Sequence, residues 1–122
     1  MRPLIAGTQF GSITLDGTVY DHDVVIDPLG MVSRRKKKLS KAVYGTSHII
    51  SLAEAEDVYR RGRGAERLIV GTGQYGRVEL SPDAFEYFAG EHCDVVLLPT
   101  PEAIRAWNDA EGAVIGLFHV TC

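Results

Sequence analysis

Cysteine is scarce. Cys93 and Cys122 are the two thiols in 122 residues, too few for the disulfide framework of a small secreted domain. Neither lies in a CxxC or Cys/His spacing of the kind that holds zinc. Both are expected to be reduced thiols, and local spacing calls for no metal and no cofactor. Long apolar runs are missing as well. The longest, residues 95–98 and 113–120, fall far short of the roughly 20 residues a membrane-spanning helix needs. Met1-Arg2-Pro3-Leu4-Ile5-Ala6-Gly7 has no sustained apolar stretch of the signal-peptide kind, so a cytoplasmic location is the expectation. Neither sign of charge dominates: 13 Lys and Arg against 16 Asp and Glu give a net charge of −3, too little to draw polyanions by bulk field. No internal repeat stands out, and no low-complexity tract beyond one basic run.

What is present fits a single domain over residues 1–122. The chain is 45% hydrophobic and 24% charged, ordinary globular proportions. At this length it buries about two-thirds of its unfolded surface, so it can hold a core without disulfide or metal staples. Residues 13–15 and 19–26 are rich in β-branched and aromatic residues, with Asp16-Gly17 between them. That pattern predicts an N-terminal β-hairpin, because Asp-Gly supplies the positive φ a two-residue turn needs. Asp27-Pro28-Leu29-Gly30 closes the second strand as a turn. Ser51 and Glu54 have capping-box spacing ahead of an apolar stripe of Leu52, Ala55, Val58 and Tyr59, which predicts a helix ending near Gly62. Leu68-Ile69-Val70 reads as a strand buried on both faces. Ser81-Pro82 and Thr100-Pro101 each open a further helix. Residues 94–98 and 113–120 are strands. From residue 67 onward strands and helices alternate, so the expected class is α/β: about three helices packed on a mixed central β-sheet.

Gly71-Thr72-Gly73-Gln74-Tyr75-Gly76 matches G-x-G-x-x-G, but the third glycine leads into extended Arg77-Val78-Glu79-Leu80 and not into a helix, which denies it a dinucleotide role. The plain reading is a tight turn. The alternative is a small-anion pocket in which loop amides, Gly71, Thr72, Gly73 and Thr100 converge at the carboxyl edge of neighbouring strands. Arg34-Arg35-Lys36-Lys37-Lys38, with Lys41 close by, is the strongest local charge feature, read as a loop or exposed edge. Such a run can meet phosphate, nucleic acid or an acidic protein partner. Tyr44 is the lone aromatic nearby for base stacking, which speaks against nucleic acid. His22, His48, His92 and His119 form no visible cluster in sequence, and a nucleophilic Cys–His pair needs spatial convergence that sequence does not display. Asp21, Asp23 and Asp27 read as a solvated strand face and a turn.

Taken together, certain landmarks carry a resemblance. Phe10-Gly11-Ser12-Ile13-Thr14-Leu15-Asp16-Gly17, Tyr20, Asp23-Val24-Val25-Ile26 and Gly30 form an opening block. Gly71-Thr72-Gly73 forms a central one. Thr100-Pro101-Glu102-Ala103, Trp107-Asn108 and His119-Val120-Thr121-Cys122 form a closing one. In this order and spacing, over nearly the whole chain, the sequence resembles the Mth-type domain family, whose relatives include a mitochondrial complex I assembly factor and an adipogenesis-associated protein. The resemblance implies a three-layer fold around a mixed sheet, and it favours an interaction or assembly-factor-like module with a protein partner. A small-anion or metabolite-binding domain is the second reading. An enzyme is the third, since no acid–base pair or activated nucleophile can be named.

Overall fold

The computed structural model describes residues 2–122. Strands β1 (Ile5–Gln9), β2 (Ser12–Leu15) and β3 (Thr18–Tyr20) form an antiparallel sheet in that order. The β2–β3 turn is the one Asp16-Gly17 predicts, with φ of 47° and 82°, both positive as a two-residue hairpin turn requires. The chain continues through β4 (Val24–Ile26), β5 (Val32–Arg34), α1 (Lys38–Tyr44), β6 (Ile49–Ile50) and α2 (Leu52–Arg60). Then come β7 (Arg67–Gly71), β8 (Glu79–Leu80), α3 (Pro82–Gly90), β9 (Asp94–Leu98), α4 (Thr100–Asp109) and β10 (Val114–Phe118).

The central sheet has five strands in the order β5-β4-β10-β7-β9. Strand β7 runs parallel to both β9 and β10, whereas β4 is antiparallel to both β10 and β5. The sheet is therefore mixed, and it separates two apolar layers. Because successive side chains on a strand point to opposite faces, Val25, Leu68, Val70, Ile115 and Leu117 face α2 and α3, where Val58, Tyr59 and Phe88 cover them. Val24, Ile26, Ile69, Val114 and Phe118 face the other way, onto Ala103, Ile104 and Trp107 of α4 and onto Ile5, Ile13 and Leu15 of the N-terminal sheet. This is the expected three-layer α/β architecture. No helix among the described residues is long and apolar enough to cross a membrane.

Local chemistry sets the element ends. Ser51 Oγ accepts from the Glu54 amide and Ser81 Oγ from the Ala84 amide, capping α2 and α3. Helix α4 differs from its sequence reading. Pro99 holds the N-cap position and Thr100 is the first helical residue, so its hydroxyl is free for tertiary bonds. Asn108 on α4 accepts from the Ile5 amide and donates to the Ile5 carbonyl, both at 3.0 Å, and Trp107 Nε1 donates to the Pro3 carbonyl. These bonds fasten the N-terminal sheet to the last helix.

Three elements depart from expectation. Residues 19–26 are not one strand: β3 stops at Tyr20 and β4 starts at Val24, because Asp23 turns into the interior. Strand β1 pairs outside β2 and extends the hairpin to a three-stranded sheet. Helix α1 raises the number of helices to four among the described residues. It has no side-chain cap and buries Ser40 alone, so neither a capping signal nor an apolar stripe marks it.

Gly116 lies where β10 passes closest to α4. A methyl group there would come within 2.6 Å of the Phe118 ring and 2.9 Å of Trp107. Gly116→Ala is expected to destabilise the domain by about 1–3 kcal/mol through overpacking, read as a lower urea midpoint at unchanged m-value.

Candidate functional site

The chemistry of this chain converges beside the carboxyl ends of β7 and β10, around one buried arginine. Arg35 follows edge strand β5, yet it is 3% exposed. Its Nε and Nη2 donate to the two carboxylate oxygens of Glu54 at 2.6 and 3.1 Å. Nη1 donates to Asp23 Oδ2 at 3.0 Å, and Nη2 also to the Ser47 carbonyl at 2.7 Å. The two-pronged pairing suits the planar fork of a guanidinium. Glu54 sits on α2 at 0% exposure and takes a further hydrogen bond from the Ser40 hydroxyl of α1. The capping-box spacing therefore misassigns its side chain: Glu54 binds Arg35 and Ser40, and the Ser51 amide is satisfied by Ser40 Oγ instead.

Asp23 links this ion cluster to the end of β10. Its Oδ1 accepts the Val120 amide at 2.9 Å, and its Oδ2 accepts His119 Nδ1 at 2.7 Å. Burial works against its ionisation, but the His119 hydrogen bond and charge, the Val120 amide and Arg35 outweigh that and hold its pKa at about 2. The same carboxylates, against the desolvation of the guanidinium, push Arg35 up. The reading of Asp23 as part of a solvated strand face is thus corrected, because it is a buried, fully bonded carboxylate. The reading of Asp27 as a turn residue stands, since its Oδ1 accepts the Leu29 and Met31 amides.

With Nδ1 donating to Asp23, the neutral form of the His119 ring has its lone pair on Nε2. Thr121 Oγ1 lies 3.1 Å from that atom, and one donor atom from each of His48, His119 and Cys122 lies within 4.8 Å of the other two. The His48 and His119 rings meet edge to face at 5.6 Å, and Cys122 Sγ lies 3.6 Å from His48 Nε2. Burial, together with the positive charge of His119, Arg77 and Arg35, pushes the His48 pKa down. No spacing rule finds this group, since His48 and Cys122 stand 74 residues apart.

The glycine loop also lies here, in a different role from the one its sequence suggests. Gly71, Thr72, Gly73 and Thr100 do come together. The amides of Thr72 and Gly73 and the Thr100 hydroxyl are spent on β9, on Thr100 and on His119. The Gly73 amide donates to Thr100 Oγ1 at 2.9 Å, and Thr100 Oγ1 donates to the His119 carbonyl at 2.7 Å. The Thr72 amide bonds Leu98, the Gln74 amide bonds Thr121, and the Arg77 amide bonds Cys122. A side chain at Gly73, whose φ is +106°, would meet the Cys122 backbone at 2.4 Å. These residues clamp 119–122 in place.

The basic run divides. Arg34, Lys36, Lys37, Lys38 and Lys41 are exposed at the end of β5, in the segment that follows it and on α1. Arg35 belongs to the interior and is withdrawn from any surface patch. Lys36 reaches Asp57 at 3.9 Å, while Arg60 and Arg61 hold that carboxylate more closely. Of the remaining polar candidates, His92 is exposed at the end of α3 and His22 bonds the Asp23 carbonyl. Cys93 is buried in the apolar layer, where desolvation, with some help from Asp94, pushes its thiol up to about 11.

A family model described as "Protein of unknown function (DUF498/DUF598)" matches residues 5–116. The chain belongs to this family. The DUF498/DUF598 match spans Asp23, Arg35, His48 and Glu54, and stops short of His119 and Cys122. Among solved structures, the conserved hypothetical protein PH1505 from Pyrococcus horikoshii OT3 is similar at 35% identity and a TM-score of 0.89, over 97% of this chain and 98% of that one. A protein titled MT938 is similar at 33% identity and a TM-score of 0.79, over 98% and 99%. A Bordetella pertussis protein, described as an Mth938-like domain, shares the fold at 18% identity and a TM-score of 0.64, over 97% and 85%. The family resemblance read from the landmark residues is thus shown for this chain.

Two outcomes follow from the buried ion cluster. Arg35→Met leaves two carboxylates in the interior without their cation and is expected to cost about 3–5 kcal/mol, measured by urea unfolding at pH 7. Asp23 has its folded pKa lowered from 3.8 to about 2, so its contribution is fully present above pH 5 and is lost as pH falls through 4 toward 2. The shift corresponds to about 2 kcal/mol, visible as an acid limb in the unfolding midpoint that Asp23→Asn reduces.

Proposed function

We propose that this domain is a protein-interaction module of the assembly-factor type, docking a partner protein on its N-terminal sheet. The observation that carries this reading is a pair of exposed aromatic rings on two separate loops. Phe10 in the β1–β2 turn is 61% exposed and Tyr75 in the glycine loop is 72% exposed, with ring centroids 6.1 Å apart. Large aromatic groups left in water are typical anchors of protein interfaces, and they act best when held rigidly.

The mounting of this pair supports the reading. The Gly11 amide beside Phe10 donates to the Val120 carbonyl at 2.8 Å. Gln74, next to Tyr75, donates through its side chain to Thr8 and through its amide to the Thr121 carbonyl. Both rings therefore stand on backbone that is already ordered, which lowers the entropy lost on binding. The turn bearing Phe10 joins two strands that floor a shallow concavity of about 410 Å³. Ala6, Thr8, Ser12 and Thr14 give it a small-residue floor and Val19, 65% exposed, lines it as well. A partner offering an aliphatic or aromatic side chain would fill that space beside the two rings.

A photo-crosslinking residue at Tyr75, compared with one at exposed Arg105 on α4, tests this in cells. Tyr75 is expected to yield a discrete protein adduct that weakens in a Phe10→Ser background, while Arg105 yields none. The Phe10→Ser and Tyr75→Ser variants should keep their stability within about 0.5 kcal/mol, since both side chains are on the surface. No adduct at Tyr75, or the same adducts at both positions, would overturn the proposal.

A further inference from the structure

We infer that His48, His119 and Cys122 form a three-ligand zinc site with a fourth coordination position left to solvent or substrate. One donor atom from each of the three side chains lies within 4.8 Å of the other two. Zinc bound at about 2.0–2.3 Å in a tetrahedron holds its ligand atoms roughly 3.3–3.8 Å apart. The 3.6 Å between Cys122 Sγ and His48 Nε2 already meets that span. Closing the remaining distances takes a small side-chain movement. Two imidazoles and one thiolate are a donor set that suits zinc among the common divalent ions.

The surroundings carry the inference further than three neighbouring side chains would. A histidine that ligates a metal ordinarily donates its other ring nitrogen to a carboxylate, which fixes the tautomer and raises the basicity of the ligating nitrogen. His119 makes this bond, with Nδ1 2.7 Å from Asp23 Oδ2. Asp23 is in turn held by Arg35 and the Val120 amide. The ring is thus held through Nδ1, which leaves Nε2 as the nitrogen available to a metal in the neutral form. The one hydrogen-bond partner of that nitrogen is Thr121 Oγ1 at 3.1 Å, a hydroxyl that a χ1 rotation removes. Asp23 is a positioning residue here.

The backbone around Cys122 is equally fixed. The Cys122 carbonyl accepts the Arg77 amide at 3.1 Å, and the Thr121 carbonyl accepts the Gln74 amide at 2.7 Å. The Thr100 hydroxyl holds the His119 carbonyl. Thiolate and imidazole are therefore presented from ordered segments.

The test is a titration of the reduced, metal-free protein with Co²⁺ and then Zn²⁺. One equivalent of Co²⁺ is expected to produce a thiolate-to-cobalt charge-transfer band in the near ultraviolet, with the intense visible bands of a four-coordinate ion. One equivalent of Zn²⁺ should bleach both. Cys122→Ser should abolish the charge-transfer band, and His48→Ala should weaken zinc binding by about tenfold or more. Both variants should unfold at the metal-free midpoint of the parent protein, while Cys93→Ser, outside the site, should bind as the parent does. The absence of a charge-transfer band in the parent protein, or full zinc affinity in Cys122→Ser, would overturn the assignment.

Discussion

One buried guanidinium organises this molecule. Arg35 draws together the end of β5, helix α2 through Glu54, the segment before β6 through Ser47 and the start of β4 through Asp23. A charge in that position is tolerable only because every prong of it is met. Its partners cannot be chosen freely either. Glu54 must lie on the buried face of α2, Ser40 must come from α1 to complete Glu54, and Asp23 must interrupt the β3–β4 segment to reach the interior. The short helix α1 has no apolar stripe of its own and exists in this fold as the carrier of Ser40. Removing Arg35 would leave several elements without a reason for their positions.

The sequence is legible where a residue's local chemistry and its tertiary role coincide. Asp16-Gly17 turns the hairpin through its backbone preference for positive φ. Ser51 and Ser81 cap their helices, and the continuous apolar runs of β7 and β10 lie between two layers, as such runs must. Legibility fails where a charged side chain is placed by distant partners. Asp23, Arg35 and Glu54 look like surface residues in any local window, and the burial of each depends on the other two. Glu54 even occupies a correct capping-box position while its side chain serves another purpose. His48 and Cys122 are brought together only because β10 runs parallel to β7 and delivers its end beside the loop before β6. The closing block His119-Val120-Thr121-Cys122 is visible as a family landmark, without its chemistry.

The glycine loop shows how a motif can be noticed for the wrong reason. Within it, Gly73 is required by the close passage of Cys122, and Gly71 by the Phe118 ring and Thr100. Its amides, together with the Thr100 hydroxyl, form a rack that fixes the last residues at three carbonyls, those of His119, Thr121 and Cys122. The same short segment takes the Gly11 amide on its opposite side. The exposed aromatic pair and the His–His–Cys group are consequently both tied to residues 119–122.

The side chain of Asn108 has a consequence for how this protein keeps its own company. By giving and taking a hydrogen bond with Ile5, its amide counterfeits one residue of a neighbouring β-strand. At Ile5 the outer rung of β1 is therefore already occupied, which blunts that end of the edge against a stray strand. Ribbon extension between molecules is thereby turned away from this margin and toward the outer edges of β3, β5 and β9, where no such decoy stands among the described residues.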